Sequence, residues 1–130
     1  MSITRELVIE PRLFQSFRRW SGRVASGYWA NWLGVLTRAD VWAFSDKLMA
    51  IYSKERYEAP GYPTEDESVL DWVPLLEAVL AAGSSFVMVA LGAGWGRWLS
   101  AGALAAKKLD KAYALVGVEA ILAGLDRQQV

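Results

Sequence analysis

The sequence predicts an α/β protein in which a helical, aromatic-rich N-terminal portion precedes one βαβ unit. Three observations predict that unit. The first two are apolar, strand-forming runs at residues 86–91 and 113–118, and a helix-forming stretch rich in Ala, Gly and Ser between them. The third is a glycine-rich turn at residues 92–96, placed where the first strand would pass into the helix. Parallel strands joined by a helix make the opening of a parallel sheet, which stays incomplete at two strands.

Composition indicates a folded chain and excludes several kinds of site. With 130 residues the chain has the size of one domain, and 54% of its residues are hydrophobic, seven of them Trp, which argues against disorder. It contains no Cys and no His. Disulfides, thiolate chemistry, histidine-dependent catalytic triads and histidine zinc sites are therefore excluded, and we predict no metal site.

Charge gives no reason to expect a polyanionic partner. Fourteen basic and fourteen acidic side chains balance, so we predict that the protein does not bind nucleic acid. The N-terminus has two acidic residues near Met1 and no uninterrupted apolar stretch of signal-peptide length. Together with the absence of Cys, this predicts a cytoplasmic protein.

The N-terminal portion, residues 1–62, divides into two helical stretches around an aromatic segment. Apolar residues spaced by three or four predict an amphipathic helix over about residues 11–21, ended by Gly22. Residues 23–37 mix glycines with Trp and Tyr, which is typical of irregular or short-stranded structure. Helical periodicity returns over about residues 39–54.

Two prolines and a glycine at residues 60–63 interrupt the helical pattern and mark a boundary, so that residues 63–130 form the second part. Thr64 has the spacing of a capping box at the start of the next helix. Pro74 conflicts with one straight helix there. Either the helix kinks, or a second one begins with Asp71 as its cap.

The pattern that indicates a binding site is a run of three glycines after the first predicted strand and an acidic residue after the second. Glycine accepts positive φ and has no side chain, so Gly92, Gly94 and Gly96 would let the backbone approach a ligand closely. Glu119 could accept hydrogen bonds from ribose hydroxyls. The order predicts a site for a nucleotide-derived cofactor. The alternative is a tight turn that binds nothing, with Glu119 as a solvated acid.

Three segments of the second part resemble a known family. Asp71-Trp72-Val73-Pro74-Leu75-Leu76-Glu77-Ala78-Val79, Leu91-Gly92-Ala93-Gly94-Trp95-Gly96-Arg97-Trp98 and Gly117-Val118-Glu119-Ala120 together resemble FkbM-type S-adenosylmethionine-dependent methyltransferases, over about residues 64–120. The resemblance implies a Rossmann-like fold, of which this chain would hold the first βαβ. This sequence departs from the family pattern at Ala90, where such enzymes carry a carboxylate.

The resemblance also implies a cofactor, a reaction and a site. The cofactor would be S-adenosylmethionine, and the reaction methyl transfer to a hydroxyl oxygen of a small molecule or glycan. No catalytic residue is assigned, and Arg97 and Trp98 are interpreted as packing and surface residues. Because the family's fold continues through further strands, we expect a truncated chain that lacks the acceptor half. The cofactor-binding residues would be Gly92, Ala93, Gly94, Trp95, Gly96, Glu119 and Ala120.

Two other classes of protein remain open. A noncatalytic interaction protein could use the Trp-rich N-terminal region to bind a partner, and an open sheet edge could allow self-association. A membrane-associated protein could insert residues 86–106, whose sole charge is Arg97. Arg97 in the middle of that segment, and its many small residues, disfavour insertion. We therefore expect no membrane partner.

Overall fold

The computed structural model describes residues 11–41, 45–63, 67–93 and 96–119. Within these ranges the strands form three two-stranded sheets: β1 with β4 and β2 with β3 are antiparallel, and β5 with β6 is parallel. This arrangement fits an incomplete α/β Rossmann-like fold and confirms the predicted fold class. In chain order the elements are α1 (Pro11–Gln15), β1 (Gly22–Val24), β2 (Tyr28–Ala30), β3 (Leu36–Arg38), a 3-10 helix (Ala39–Val41), α2 (Asp46–Tyr52), β4 (Arg56–Glu58), α3 (Glu67–Ala81), β5 (Ser85–Leu91), α4 (Arg97–Lys108) and β6 (Ala112–Val118).

The predicted βαβ unit consists of β5, α4 and β6. The two strands pair in parallel register from Ser85 opposite Ala112 to Leu91 opposite Val118. Small residues on α4 allow the helix to lie close to the sheet. A methyl group added at Gly102 would lie 2.9 Å from Sδ of Met88 and 3.2 Å from Cε1 of Phe86. The buried residues of α4 are Leu99, Ala101, Gly102, Ala105 and Ala106.

We expect Gly102→Val to lower the free energy of unfolding by about 1–3 kcal/mol, because the added side chain would overpack the contact between α4 and β5. Urea unfolding measures the change. Ser100→Val, at an exposed position of the same helix, is the control and should change stability by less than about 0.5 kcal/mol. Equal losses in the two variants would mean that helix propensity, and not close packing, limits stability at residue 102.

The face of the parallel sheet opposite α4 is exposed. Alternate residues of a strand point to opposite faces. On this face the paired residues between Val87 and Leu91 of β5 and between Ala114 and Val118 of β6 are aliphatic. Parallel sheets normally have both faces covered, so within the described residues this is an open apolar surface. The large side chains on it, between 51% and 81% exposed, are Val87, Val89, Leu91, Val116 and Val118.

The helix before β5 is continuous despite its proline. α3 runs from Glu67 to Ala81 with Pro74 inside it, so the alternative of a second helix capped by Asp71 is wrong. Pro74 is exposed and so is Leu70, one turn earlier. Water can therefore hydrogen-bond the carbonyl of Leu70 that the missing N–H of Pro74 leaves free. Thr64 of the predicted capping box lies outside the described residues.

A lysine that the sequence does not single out holds the end of α3. Nζ of Lys111 donates hydrogen bonds to the carbonyl oxygens of Val79 at 2.7 Å, Leu80 at 3.1 Å and Ala82 at 2.5 Å. The last carbonyls of a helix have no partner within the helix and carry partial negative charge. Lys111 immediately precedes β6, so this cap ties the end of α3 to the start of the second parallel strand.

The first helix is shorter than predicted. α1 ends at Gln15, and the predicted continuation to residue 21 is wrong. The chain leaves the helix through a tighter turn in which the N–H of Phe17 donates to the carbonyl of Phe14 at 3.0 Å. The N–H of Trp20 then donates to the carbonyl of Trp32 at 2.7 Å. Tertiary pairing thus overrides the helical periodicity here.

The aromatic segment that follows is short-stranded, as predicted. β2 and β3 pair as a hairpin, and Asn31 builds its loop. Oδ1 of Asn31 accepts hydrogen bonds from the backbone N–H groups of Leu33 at 3.0 Å, Gly34 at 3.1 Å and Val35 at 3.0 Å. Of the helix predicted over residues 39–54, the structure describes the 3-10 helix and α2, and residues 42–44 lie outside the described ranges.

One hydrophobic core includes residues from the N-terminal portion and from the βαβ unit. A series of aromatic rings runs through it. The ring centroids of Phe14 and Trp32 are 5.7 Å apart, those of Trp32 and Trp72 5.2 Å, and those of Trp72 and Trp98 5.0 Å. All three contacts are edge-to-face, a favourable geometry for aromatic pairs. Trp98 is the second residue of α4, so the series reaches the end of the glycine-rich turn.

Candidate functional site

The glycine-rich turn joins β5 to α4. Gly92 follows the last residue of β5 and has φ of 68°. Gly96 directly precedes α4 and has φ of 81° and ψ of 18°, in the left-handed region. Residues other than glycine rarely adopt these backbone angles. Glycine is therefore strongly favoured at both ends of the turn, while Gly94 and Trp95 lie outside the described residues.

Backbone hydrogen bonds hold the turn against the end of β6. The N–H groups of Gly92 and Ala93 both donate to the carbonyl of Val118, at 2.8 and 3.0 Å. The N–H of Gly96 donates to the carbonyl of Ala93 at 3.0 Å. These three amides are therefore occupied within the chain. A ligand at this part of the turn would meet it through van der Waals contact, and not through these N–H groups.

The outer side of Gly92 is open. A Cβ placed on Gly92 would have no described heavy atom within 4 Å, and the residue is exposed. Ala93 is half-buried and Gly96 is buried. The sterically accessible point of the described turn is thus its first residue, at the carboxyl end of β5.

The parallel register brings the acid predicted for ribose binding to the same end of the sheet. Leu91 pairs with Val118, so Gly92 and Glu119 are the residues that follow two paired positions. The shared carbonyl of Val118 fixes the turn next to Glu119, which is half-buried. Ala120, the last residue of the predicted site, lies outside the described residues. The structure therefore brings Gly92, Ala93 and Glu119 together, with Gly96 at the far end of the turn.

Arg97 and Trp98, interpreted from the sequence as packing and surface residues, are the first two residues of α4. Both are half-buried, and the guanidinium carbon of Arg97 lies 4.7 Å from the centroid of the Trp98 ring. Nε of Arg97 is buried and has no hydrogen-bond partner among the described residues. The sequence signal that could have drawn attention to this pair is a cation and an aromatic residue placed directly after the last glycine.

Within the described ranges, no three acidic side chains are grouped so that they could hold a metal ion. The predicted alternative of a membrane segment at residues 86–106 is wrong, because that stretch is divided between β5, the turn and α4. No described helix has both the length and the apolar character that crossing a bilayer requires.

Comparison with known proteins supports a relationship to methyltransferases. The chain is similar to a protein of Jannaschia sp. (strain CCS1) named "Putative methyltransferase", with 30% identity over 105 residues. The matched region is 81% of this chain and 37% of that protein, so the chain spans little more than a third of its relative's length. No family model matches the chain, and no solved structure matches it.

Proposed function

We propose that this chain is the donor-binding part of an S-adenosylmethionine-dependent methyltransferase of the FkbM type. The observation that carries the proposal is that Gly92 and Glu119 directly follow paired residues at the carboxyl ends of two adjacent parallel strands. Ligands of open α/β sheets bind in the crevice outside those strand ends. The similarity to the Jannaschia protein supports the same class of reaction.

In this proposal the turn and the acid hold different parts of the cofactor. Gly92, Ala93 and Gly96, with Gly94 and Trp95, would line its methionine and adenosine portions, and Glu119 with Ala120 would hold the ribose. The open side of Gly92, with no described atom within 4 Å of a Cβ position, fits close approach of a ligand. S-adenosylmethionine supplies an activated methyl group when bound, so the residues of the chain have mainly to bind and orient it.

The proposal also covers the methyl acceptor. We propose a hydroxyl oxygen of a small molecule or glycan as the methyl acceptor. The relative is much longer than the matched region, which covers 37% of it. We therefore propose that elements beyond the two described parallel strands form the acceptor site, and that the 130 residues alone bind the donor without turnover.

We expect S-adenosylhomocysteine, the product form of the cofactor, to bind the purified chain and raise its melting temperature. A ligand that binds only the folded state stabilises it by about 2.7 kcal/mol at 100 times its Kd. Glu119→Gln should weaken binding roughly tenfold, because the neutral amide loses charge-assisted hydrogen bonds to the ribose hydroxyls. Isothermal titration calorimetry and thermal unfolding give the two readouts.

The matched control for this experiment is Glu77→Gln, at an exposed position of α3, which should leave binding unchanged. Absence of both binding heat and a melting shift in the wild type at high ligand concentration would reject the proposed function. Equal affinities for the wild type and Glu119→Gln would instead reject the role of Glu119 alone.

A noncatalytic interaction protein is the second candidate. Its support is the open apolar face of the parallel sheet. The described tryptophans give it none, since Trp20, Trp29, Trp32, Trp72 and Trp98 are all buried or half-buried. Analytical ultracentrifugation tests it. A defined oligomer that dissociates in Val89→Lys, in a protein that binds no nucleoside, would favour this candidate over the enzyme.

A further inference from the structure

Arg97 is a half-buried cation. It lies one residue after Gly96, at the end of the glycine-rich turn. Among the described residues it forms no ion pair, and its buried Nε donates no hydrogen bond. Its contact with the Trp98 ring offsets part of the cost of removing the guanidinium from water, but a ring face does not satisfy an N–H donor as an oxygen does.

The hydrogen bonds of Arg56 provide a comparison for Arg97. Arg56 and Arg97 are the half-buried arginines of the described ranges. Nε of Arg56 donates to Oε1 of Glu58 at 2.6 Å, and its Nη1 to the carbonyl of Lys54 at 3.2 Å. Arg56 is therefore paired and hydrogen-bonded within the fold, as buried charges generally are. The equivalent oxygens are lacking around Arg97 in the described structure.

We propose that Arg97 binds the carboxylate of the amino-acid portion of the methyl donor. This inference rests on the proposed function. The guanidinium is a planar fork of N–H donors that matches a carboxylate. S-adenosylmethionine carries a single carboxylate, at the end of the molecule remote from its adenosine. Glu119 lies beside the start of the turn and Arg97 follows its end, so the two opposite charges would hold the ribose and the amino-acid portion respectively.

Trp98 and Trp72 are positioning residues in this arrangement. The ring of Trp98 supports the guanidinium, and the edge-to-face contact with Trp72 at 5.0 Å fixes that ring in the core. An arginine held by stacking keeps fewer conformations than one free in water, so it loses less entropy when it binds a carboxylate.

The experiment compares two ligands that differ only in the carboxylate. These are S-adenosylhomocysteine and its decarboxylated form, which keeps the adenosine, the thioether and the amine. Calorimetry gives the affinity of each for the wild type, Arg97→Met and Arg97→Lys. We expect the wild type to prefer S-adenosylhomocysteine roughly tenfold to hundredfold, as hydrogen bonds to charged groups allow. Arg97→Met should lose this preference, and Arg97→Lys should keep part of it.

The affinity for the decarboxylated ligand reports whether Arg97→Met is folded, since it should stay within about twofold of the wild-type value. An undiminished preference in Arg97→Met, or an equal weakening of both ligands, would overturn the role of Arg97 and leave the proposed function standing. If the wild type binds neither ligand, the proposed function is wrong and this inference is overturned with it.

Discussion

We expect Trp72→Ala to lower the free energy of unfolding by about 3–5 kcal/mol, the range for removal of a large aromatic side chain from a core. Trp72 is 2% exposed and contacts both Trp32 and Trp98 edge-to-face. The substitution removes the buried surface of the indole and both aromatic contacts, and the cavity left can close only in part. Since small domains are stable by about 5–15 kcal/mol, this loss is a large part of the total.

Urea unfolding followed by circular dichroism measures the effect, with Leu70→Ala as the matched control. Leu70 lies on the same helix and is 58% exposed, so its truncation should change stability by less than about 0.5 kcal/mol. Trp72→Phe keeps much of the volume and provides a folded variant if Trp72→Ala does not fold. Similar losses in Trp72→Ala and Leu70→Ala would mean that the aromatic series does not join the N-terminal portion to the βαβ unit.

The βαβ unit could be predicted because each of its signals is local. Glycine, which has no Cβ, is favoured where the backbone takes positive φ, and Gly92 and Gly96 occupy such positions. Small residues are needed where α4 approaches β5, and Gly102 lies at that contact. The predicted strands at 86–91 and 113–118 therefore agree with β5 and β6 to within one residue at their ends.

The pairing of β1 with β4 could not be predicted from local pattern. β1 and β4 have three residues each, which is too short for an alternation of polar and apolar residues to be read. Their pairing brings Gly22 opposite Glu58, positions far apart in the chain. Only the tertiary structure decides such a pairing, and the same applies to α1, whose periodicity continues beyond its end at Gln15.

The candidate site, too, could be predicted from the sequence only in part. The positions of Gly92 and Glu119 follow from the order of strand, turn, helix and strand. Two other properties of the site do not follow from that order. The amides of Gly92 and Ala93 both donate to the carbonyl of Val118, and Nε of Arg97 is buried without a hydrogen-bond partner in the described part of the chain. Both properties depend on which atoms surround these groups in the folded protein. Residue type and spacing along the sequence do not show those neighbours.

Gly92→Val is expected to weaken binding of S-adenosylhomocysteine by more than about a hundredfold, the largest effect that we predict for the proposed site. Two causes add together. Valine at φ of 68° is strained by about 1–2 kcal/mol, and relief of this strain would disturb the hydrogen bonds that hold the turn to Val118. The new side chain would also fill the open space beside the turn, where no described atom lies within 4 Å of a Cβ position.

Gly83→Val is the matched control for this substitution. Gly83 precedes β5, at the end of the strand remote from the turn, and a Cβ there also meets no described atom within 4 Å. Its φ is not positive, since the described glycines with positive φ are Gly27, Gly34, Gly92 and Gly96. The control variant should bind the nucleoside as the wild type does.

Calorimetry measures the affinities, and thermal unfolding shows whether each variant is folded. Gly92→Ala adds a single methyl group. It should therefore strain the backbone less than Gly92→Val does and cause a smaller loss of affinity. Wild-type affinity in a folded Gly92→Val variant would show that the cofactor does not approach the carboxyl end of β5. The turn would then serve only to connect β5 to α4, and the donor would have to bind elsewhere on the chain.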